Sequence, residues 1–306
     1  MRALPKKPKS RLLRKEARAA YISLIPAFIG LIVLTYVPLV AVFGLSFFKW
    51  GGTGVPEWVG LGNYIKLFTS DPYFTESVKV TIYFSLLAVI GSMIYSLVIA
   101  LLLNRNIPAR GFFRAVFYLP YVLPATAVYI GWSWLYNTEW GLFNYILSKL
   151  GIERLMFVSS SSQVVPSLAL IAVWLSGNLI VIFLAGLQNV PRVYHEAAQI
   201  DGANSWQRFW HVTIPSMTPI IFYNMLMALI TNMQVVTPAL ALTKGGPGKS
   251  SYFISYMLYN YAFKQRGKLG LACAIAFVLF LLIGVFTLIL FATSKSWIFY
   301  EGGENK

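Results

Sequence analysis

The sequence predicts an all-α integral membrane protein with six transmembrane helices, and three observations carry that expectation. Of 306 residues, 58% are hydrophobic and only 11% charged, with a mean hydropathy of +0.66, above the apolar share of a soluble globule. The apolar residues gather into six stretches, each near the roughly 20 residues a helix needs to cross the hydrocarbon. Eight Lys/Arg fall within residues 1–20, directly ahead of the first stretch, where positive charge holds its flank on the cytoplasmic side. The net charge of +15 is therefore read as a topology signal and not as a nucleic-acid-binding surface.

The elements follow in order. The basic tail, 1–20, leads into a first span at 21–48, which is longer than the roughly 7–15-residue core of a signal peptide and is followed by no A-x-A-like cleavage site. Further spans are expected at 80–103, 115–136, 164–188, 218–242 and 269–293, making a membrane domain of 21–294 and a C-terminal tail of 295–306. An even number of crossings returns both termini to one side, which the tail makes the cytoplasm. The inner segments then hold fifteen Lys/Arg and the outer ones ten. Five of those ten, Lys244, Lys249, Lys264, Arg266 and Lys268, crowd the outer loop after the fifth span, against the positive-inside rule. The first span usually dominates orientation, so the assignment is kept.

All ten carboxylates lie in tails or loops, and so do both histidines, His195 and His211. Proton-coupled carriers place Asp, Glu or His inside their spans as relays, so a self-contained secondary carrier or channel is disfavoured. A lipid or glycosyl transferase needs clustered acids or histidines at a bilayer surface, and only His195, Glu196, Asp201 and His211 cluster. The stretch TKGGPGKSS contains GKS, but a phosphate-binding loop requires glycine where Thr243 stands and a strand leading in, so it reads as a Gly/Pro-rich turn. Cys273 is the one cysteine, which excludes an intrachain disulfide or a cysteine metal cluster.

The polar residues concentrate in the loop at 191–215. Pro191 suits a helix start, Arg192 to Ile200 form about two and a half turns, and Gly202 permits the positive φ that ends them. Asn204 or Ser205 caps a second helix through Trp206, Phe209, Trp210 and Thr213, an aromatic face at spacings of three and four, until Pro215 interrupts it. An interfacial helix lying in the headgroups usually carries Lys and Arg on its polar face. This loop instead sets Glu196 and Asp201 beside Ala197 and Ala198, a small patch suited to close approach by a soluble protein.

The pattern of EAA at 196–198, Gly202, then Val212-Thr213-Ile214-Pro215 resembles the EAA loop of the membrane subunits of binding-protein-dependent ABC importers, with Val and Ile where that family most often shows Ile and Leu. The run EAAQIDGANSWQRFWHVTIP, together with WVGLGNYIKLF, GFFRAVFYLPYVLP, AGLQNVPRVYHEAA and LTKGGPGKSS, resembles the carbohydrate-uptake branch over nearly the whole chain. The resemblance implies a type I ABC importer permease fold in a prokaryotic inner or plasma membrane. It implies that the loop forms coupling helices seated on a cytoplasmic ATPase subunit, with Glu196, Ala197, Ala198, Asp201, Gly202 and Pro215 as the coupling residues. The implied partners are a second, homologous permease subunit, two ATPase subunits and an extracytoplasmic solute-binding protein. This chain would bind no cofactor and catalyse nothing, since ATP and Mg would sit on the ATPase subunits.

Polar groups inside spans are candidate pathway residues: Trp174, Ser176 and Asn178 in the fourth span, and Thr231, Asn232 and Gln234 midway along the fifth. For Asn232, contact with sugar hydroxyls and simple interhelical bonding stand evenly matched; Asn224 reads as structural. The rings of Tyr118, Tyr121, Tyr129, Trp132, Trp134 and Tyr136 suit belt or packing roles. The substrate class expected is a sugar or oligosaccharide, with glycerol-phosphate or a polyol as the alternative.

Overall fold

The computed structural model describes residues 11–299; residues 1–10 of the basic tail and 300–306 of the C-terminal tail lie outside the described residues. The helices are α1 (Arg11–Leu31), α2 (Val37–Leu45), α3 (Gly62–Thr69), α4 (Phe74–Asn104), α5 (Arg110–Val122), α6 (Ala125–Leu135), α7 (Leu142–Lys149), α8 (Val164–Trp174), α9 (Gly177–Asn189), α10 (Arg192–Ile200), α11 (Ser205–Arg208), α12 (Ile214–Met233), α13 (Ile254–Tyr259) and α14 (Leu269–Ser294). Four continuous helices are long and apolar enough to cross a membrane, at 15–45, 74–104, 205–233 and 269–294, and two bent pairs bring the total to six if each is one span.

α4 is the pillar, and α8, α9 and α12 all pack on it. Ser77, Thr81, Ser85, Ala88, Ser92, Ser96 and Ala100 recur along it at spacings of three and four, none more than 2% exposed. Lipid tails are as apolar as leucine, so helices in a bilayer gain from close backbone approach, which small residues allow. Two of the hydroxyls donate within the helix, Ser77 Oγ to Phe74 O (2.8 Å) and Thr81 Oγ1 to Ser77 O (2.6 Å), while the buried Ser85 Oγ has no partner among the described residues. Ser96 and Ser176 hydroxyls meet at 2.9 Å across the helix pair.

The structure corrects three of the expected spans. The third is not continuous over 115–136, because α5 and α6 meet at 99°. Pro124 drives its predecessor, Leu123, out of the helical region to φ −66°, ψ 145°. The fourth bends by 48° at Leu175–Ser176, where Gly177 lies so near α5 that a Cβ on it would sit 2.8 Å from Phe117 O. The fifth helix begins at Ser205 and ends at Met233, not at 242. Pro215 does not interrupt it: the helix widens into a π turn over Phe209–Thr213 and continues through Pro215 as α12, one way to accommodate a missing N–H without a break.

The loops fall on two faces. On one, the hairpin β1 (Phe48–Lys49) and β2 (Glu57–Trp58) is tied to α3 by Asn63 Nδ2 donating to Ser46 O and Phe48 O, and to the start of α14 by Gly270 N donating to Trp50 O. Asp71 clasps the same face. Its Oδ1 accepts from Tyr73 N (2.9 Å) and Phe74 N (3.1 Å) at the head of α4, and its Oδ2 accepts from Tyr261 OH (2.7 Å). Burial, and then that bond to Asp71, push the Tyr261 hydroxyl well above its ordinary range, so it stays a donor at physiological pH. On the opposite face the segment after α14 turns back, with Phe299 N donating to Thr218 Oγ1 at 2.9 Å and Trp297 against Phe222.

Gly91 tests the pillar. A Cβ there would stand 2.6 Å from Val173 Cγ2, whereas Gly284 in α14 has nothing within 4 Å. Gly91→Leu is expected to lower the melting temperature of the detergent-purified protein, in line with an overpacking cost of about 1–3 kcal/mol, and Gly284→Leu to leave it unchanged or raised. Adding Val173→Ala should recover most of the Gly91→Leu loss. A strictly additive double variant would show that the two positions do not meet.

Candidate functional site

The loop between α9 and α12 is stiff because each of its turns is closed by named bonds. Pro191 precedes α10, which runs through Ile200 as the sequence predicts. At its end Gly202 takes φ +82°, Ala203 N donates to Ala198 O (2.8 Å) and Gly202 N to Gln199 O (3.1 Å), the paired bonds of a Schellman closure. Asn204 then caps α11 reciprocally: Gln207 N donates to Asn204 Oδ1 (2.9 Å) and Asn204 N to Gln207 Oε1 (2.8 Å). Arg208 Nη1 donates to Gln199 Oε1 at 3.0 Å, bracing α11 against α10.

The two short helices enclose a cleft of about 340 Å³ bordered by Ala198, Asp201, Gly202, Gln207, Arg208 and His211. Glu196, Ala197 and Asp201 are exposed, and neither acid has an ion-pair partner among the described residues. Trp206, Phe209 and Trp210 form an edge-packed cluster with centroids 5.1–6.1 Å apart, with Trp206 70% exposed. The loop thus presents an acidic, small-residue surface and an aromatic one, both without an intrachain cover.

From this loop one helix of 29 residues runs from Ser205 to Met233, and its far end opens on a cavity. That cavity, about 390 Å³, lies where three irregular points converge: the α5/α6 bend, the α8/α9 bend and the end of α12. Non-helical backbone at membrane depth is tolerated only where it is buried in protein or lines a cavity, and here it does both. Ser176, Asn178, Thr231 and Asn232 border the cavity with Ser92, Tyr121 and Tyr129, and no charged residue does. Asn232 Nδ2 donates to Ala228 O (2.8 Å), which leaves its carbonyl oxygen as the acceptor. The lining offers neutral donors, acceptors and two phenol rings, the chemistry of hydroxyl recognition.

Not every expected pathway residue arrives there. Gln234 is the residue capping the end of α12 and lies outside the cavity lining. Trp174 faces the other side of the bend, in a shallow apolar groove against Trp132 with centroids 5.6 Å apart. Asn224 is wholly buried and donates to Leu179 O across the helix pair (3.3 Å). Ser92 was not anticipated; its place in the small-residue stripe of α4 was the signal. Tyr121 and Tyr129 line the cavity, while Tyr136 packs and donates to Ser167 O (2.9 Å).

Residues 92–296 match the family described as binding-protein-dependent transport system inner membrane component. The chain belongs to that family. The match takes in the cavity, the loop and the last span, and likeness to individual permeases extends beyond it. The chain is 37% identical over 301 residues to a probable ABC transporter permease protein, YesP, of Bacillus subtilis (strain 168), covering 97% of each chain. It is 31% identical to the trehalose/maltose transport system permease protein MalF of Thermococcus litoralis, covering 92% of this chain and 95% of that one. Among solved structures, a bacterial ABC transporter involved in the import of the acidic polysaccharide alginate superposes with a TM-score of 0.78 over 94% of this chain and 99% of that one, at 22% identity. This permease therefore has the type I ABC importer permease fold, and it is a multi-pass membrane protein.

The two asparagines separate a cavity role from a packing role in this permease. Asn232→Leu removes one acceptor from the cavity, and solute uptake by the assembled transporter is expected to fall about two- to tenfold, the equivalent of about 0.5–1.5 kcal/mol, with undiminished yield of the assembled complex. Asn224→Leu should lower that yield. Full uptake with poor assembly for Asn232→Leu would make that residue structural.

Proposed function

We infer that this chain is the permease subunit of an ATP-driven importer for a sugar or oligosaccharide, forming half of the translocation pathway beside a second, homologous permease. It is non-catalytic: two ATPase subunits dock on the loop at 191–215 from the cytoplasm, and an extracytoplasmic binding protein delivers solute to the Asp71 face. Both termini lie in the cytoplasm. The observation that carries this reading is the unbroken helix joining the loop to the cavity, which lets a movement imposed at one end reach the residues at the other. The exposed, unpaired Glu196 and Asp201 suit a basic cleft on the partner. Once seated, such a pair is partly desolvated, and removing one side costs about 3–5 kcal/mol.

The carbohydrate assignment is supported by the relatives' own descriptions, a trehalose/maltose permease and a multiple sugar-binding transport system permease, and by a lining of hydroxyl, amide and phenol groups. A similar solved alginate transporter is held in complex with an alginate-bound periplasmic protein, which supports a binding-protein partner for this chain. Glycerol-phosphate or a polyol is the second reading. Phosphate would need a cation, and the cavity lining of this subunit supplies none.

Cysteine at Ala197, which is exposed and helical, is expected to crosslink to the ATPase subunit in inside-out vesicles and to resist a membrane-impermeant thiol reagent added to intact cells. Gly202 is a poor site for the same probe because its φ of +82° strains any side chain. Labelling of Ala197→Cys from outside would reverse the topology. For the outer face, Lys244 is exposed whereas Lys249 sits 4.0 Å from the Tyr73 ring and donates to Pro72 O. Lys244→Glu should therefore weaken stimulation of ATP hydrolysis by the binding protein without loss of assembly, and an unaltered response would remove Lys244 from that interface.

A further inference from the structure

Among the described residues, two arginines on the loop face opposite Asp71 have no counter-charge within 4.0 Å. α5 begins at Arg110 without a side-chain cap, and Arg114 follows one turn later, so both stand where α5 meets the ends of α4 and α9. Arg110 Nε donates to Leu103 O (2.5 Å), and its Nη2 lies 3.4 Å from Asn104 Oδ1. In the amide orientation that satisfies both partners, Gln188 Oε1 accepts from Arg114 Nη2 (2.8 Å) and Arg110 Nη2 (3.2 Å). These acceptors are all neutral. Among the described residues no carboxylate lies within 4.0 Å of either guanidinium, the ion pair there being Lys49 with Glu57 on the other face. Arg114 Nε is buried and bonds to nothing, a costly position for a charged group unless a ligand completes it.

Beside this pair lies a pocket of about 180 Å³ that Arg114 and Gln188 border on the polar side and Tyr118, Ile180, Val181 and Leu184 on the apolar side. Tyr118 and Val181 are 38% and 46% exposed, so the pocket opens on the flank of the spans. Guanidinium forks match phosphate oxygens, the uncapped head of α5 adds positive potential, and apolar walls next to fixed cations at a span end fit an amphiphile. Basic pockets between transmembrane helices are places where anionic headgroups bind.

We propose that Arg110 and Arg114 hold the phosphate of an anionic phospholipid whose acyl chain lies along Val181 and Leu184. The lipid supplies the missing counter-charge, and it cements the junction of α4, α5 and α9 on the cavity's far flank. The site needs only the span ends and stands whether or not the transported solute is a sugar.

The test is the melting temperature of the purified transporter in neutral detergent, titrated with phosphatidylglycerol, with phosphatidylcholine, and with inorganic phosphate. Phosphatidylglycerol is expected to raise the melting temperature saturably, and the other two are not. In Arg114→Gln the half-saturating mole fraction of phosphatidylglycerol should rise at least about tenfold, the loss expected for one charge-assisted bond. Should that variant fail to assemble, Val181→Trp fills the apolar wall from an exposed position without touching the arginines, and the same rise is expected. An equal response to phosphatidylcholine, a response to inorganic phosphate matching that to lipid, no response at all, or wild-type titrations in the variants would each overturn the proposal.

Discussion

The close approach of helices along α4 is the constraint on which the rest of the molecule depends. Its buried face carries serine, threonine and alanine at regular spacing from Ser77 to Ala100, with Val80, Phe84 and Val89 buried among them, and the short side chains let α8, α9 and α12 come close to its backbone. In lipid no water is squeezed out when helices meet, so contact distance and hydrogen bonding decide association. Ser96 illustrates both, being small enough to admit the α8/α9 bend and polar enough to bond the Ser176 hydroxyl within it. Ser92, one turn nearer Asp71, forms part of the cavity wall. Packing and cavity are thus two outcomes of one residue pattern, and a leucine in this stripe would disturb both.

Hydropathy made the spans legible because the hydrocarbon tests nearly every residue in them, and local capping chemistry made the loop legible because Gly202, Asn204 and Gln207 act on their near neighbours. The irregular points resisted reading because each reflects a neighbour distant in sequence. Pro124 was a visible clue to the α5/α6 bend. At Leu175–Ser176 the adjacent Ser176–Gly177 pair was a weaker clue, and α5 lies close against Gly177 there. The end of α12 is similar: Asn232 Nδ2 takes the Ala228 carbonyl, competing with the backbone ladder just where the helix stops. A residue's depth can be counted along a span, but the face it occupies cannot once the span bends, which is why Trp174 falls away from the cavity while Ser176 and Asn178 reach it; Gln234 misses it because α12 ends one residue earlier, after Thr231 and Asn232.

The basic loop from Lys244 to Lys268 also becomes intelligible through its partners. Lys249 lies over Tyr73 and Lys268 lies 4.5 Å from the centroid of the Tyr261 ring, and Tyr261 in turn donates to Asp71. These cations are held by rings and carbonyls of the same face, interactions worth about 0.5–1 kcal/mol each at exposed sites. A charge count treats every lysine as a statement about sidedness, yet here two of them close a structural clasp.

The helix from Ser205 to Met233 has a structural consequence. Its 29 residues make a rod of about 43 Å, packed against α4, α9 and α14. That rod is packed from Met217 to Met233, with Ala228, Leu229 and Met233 buried at the cavity end, so the loop at Trp206 and the cavity residues Thr231 and Asn232 belong to one continuous element. The π turn at Phe209–Thr213 lies between the two ends, where the backbone departs from regular α geometry, so the loop helix and the span meet through a wider turn and not through a break.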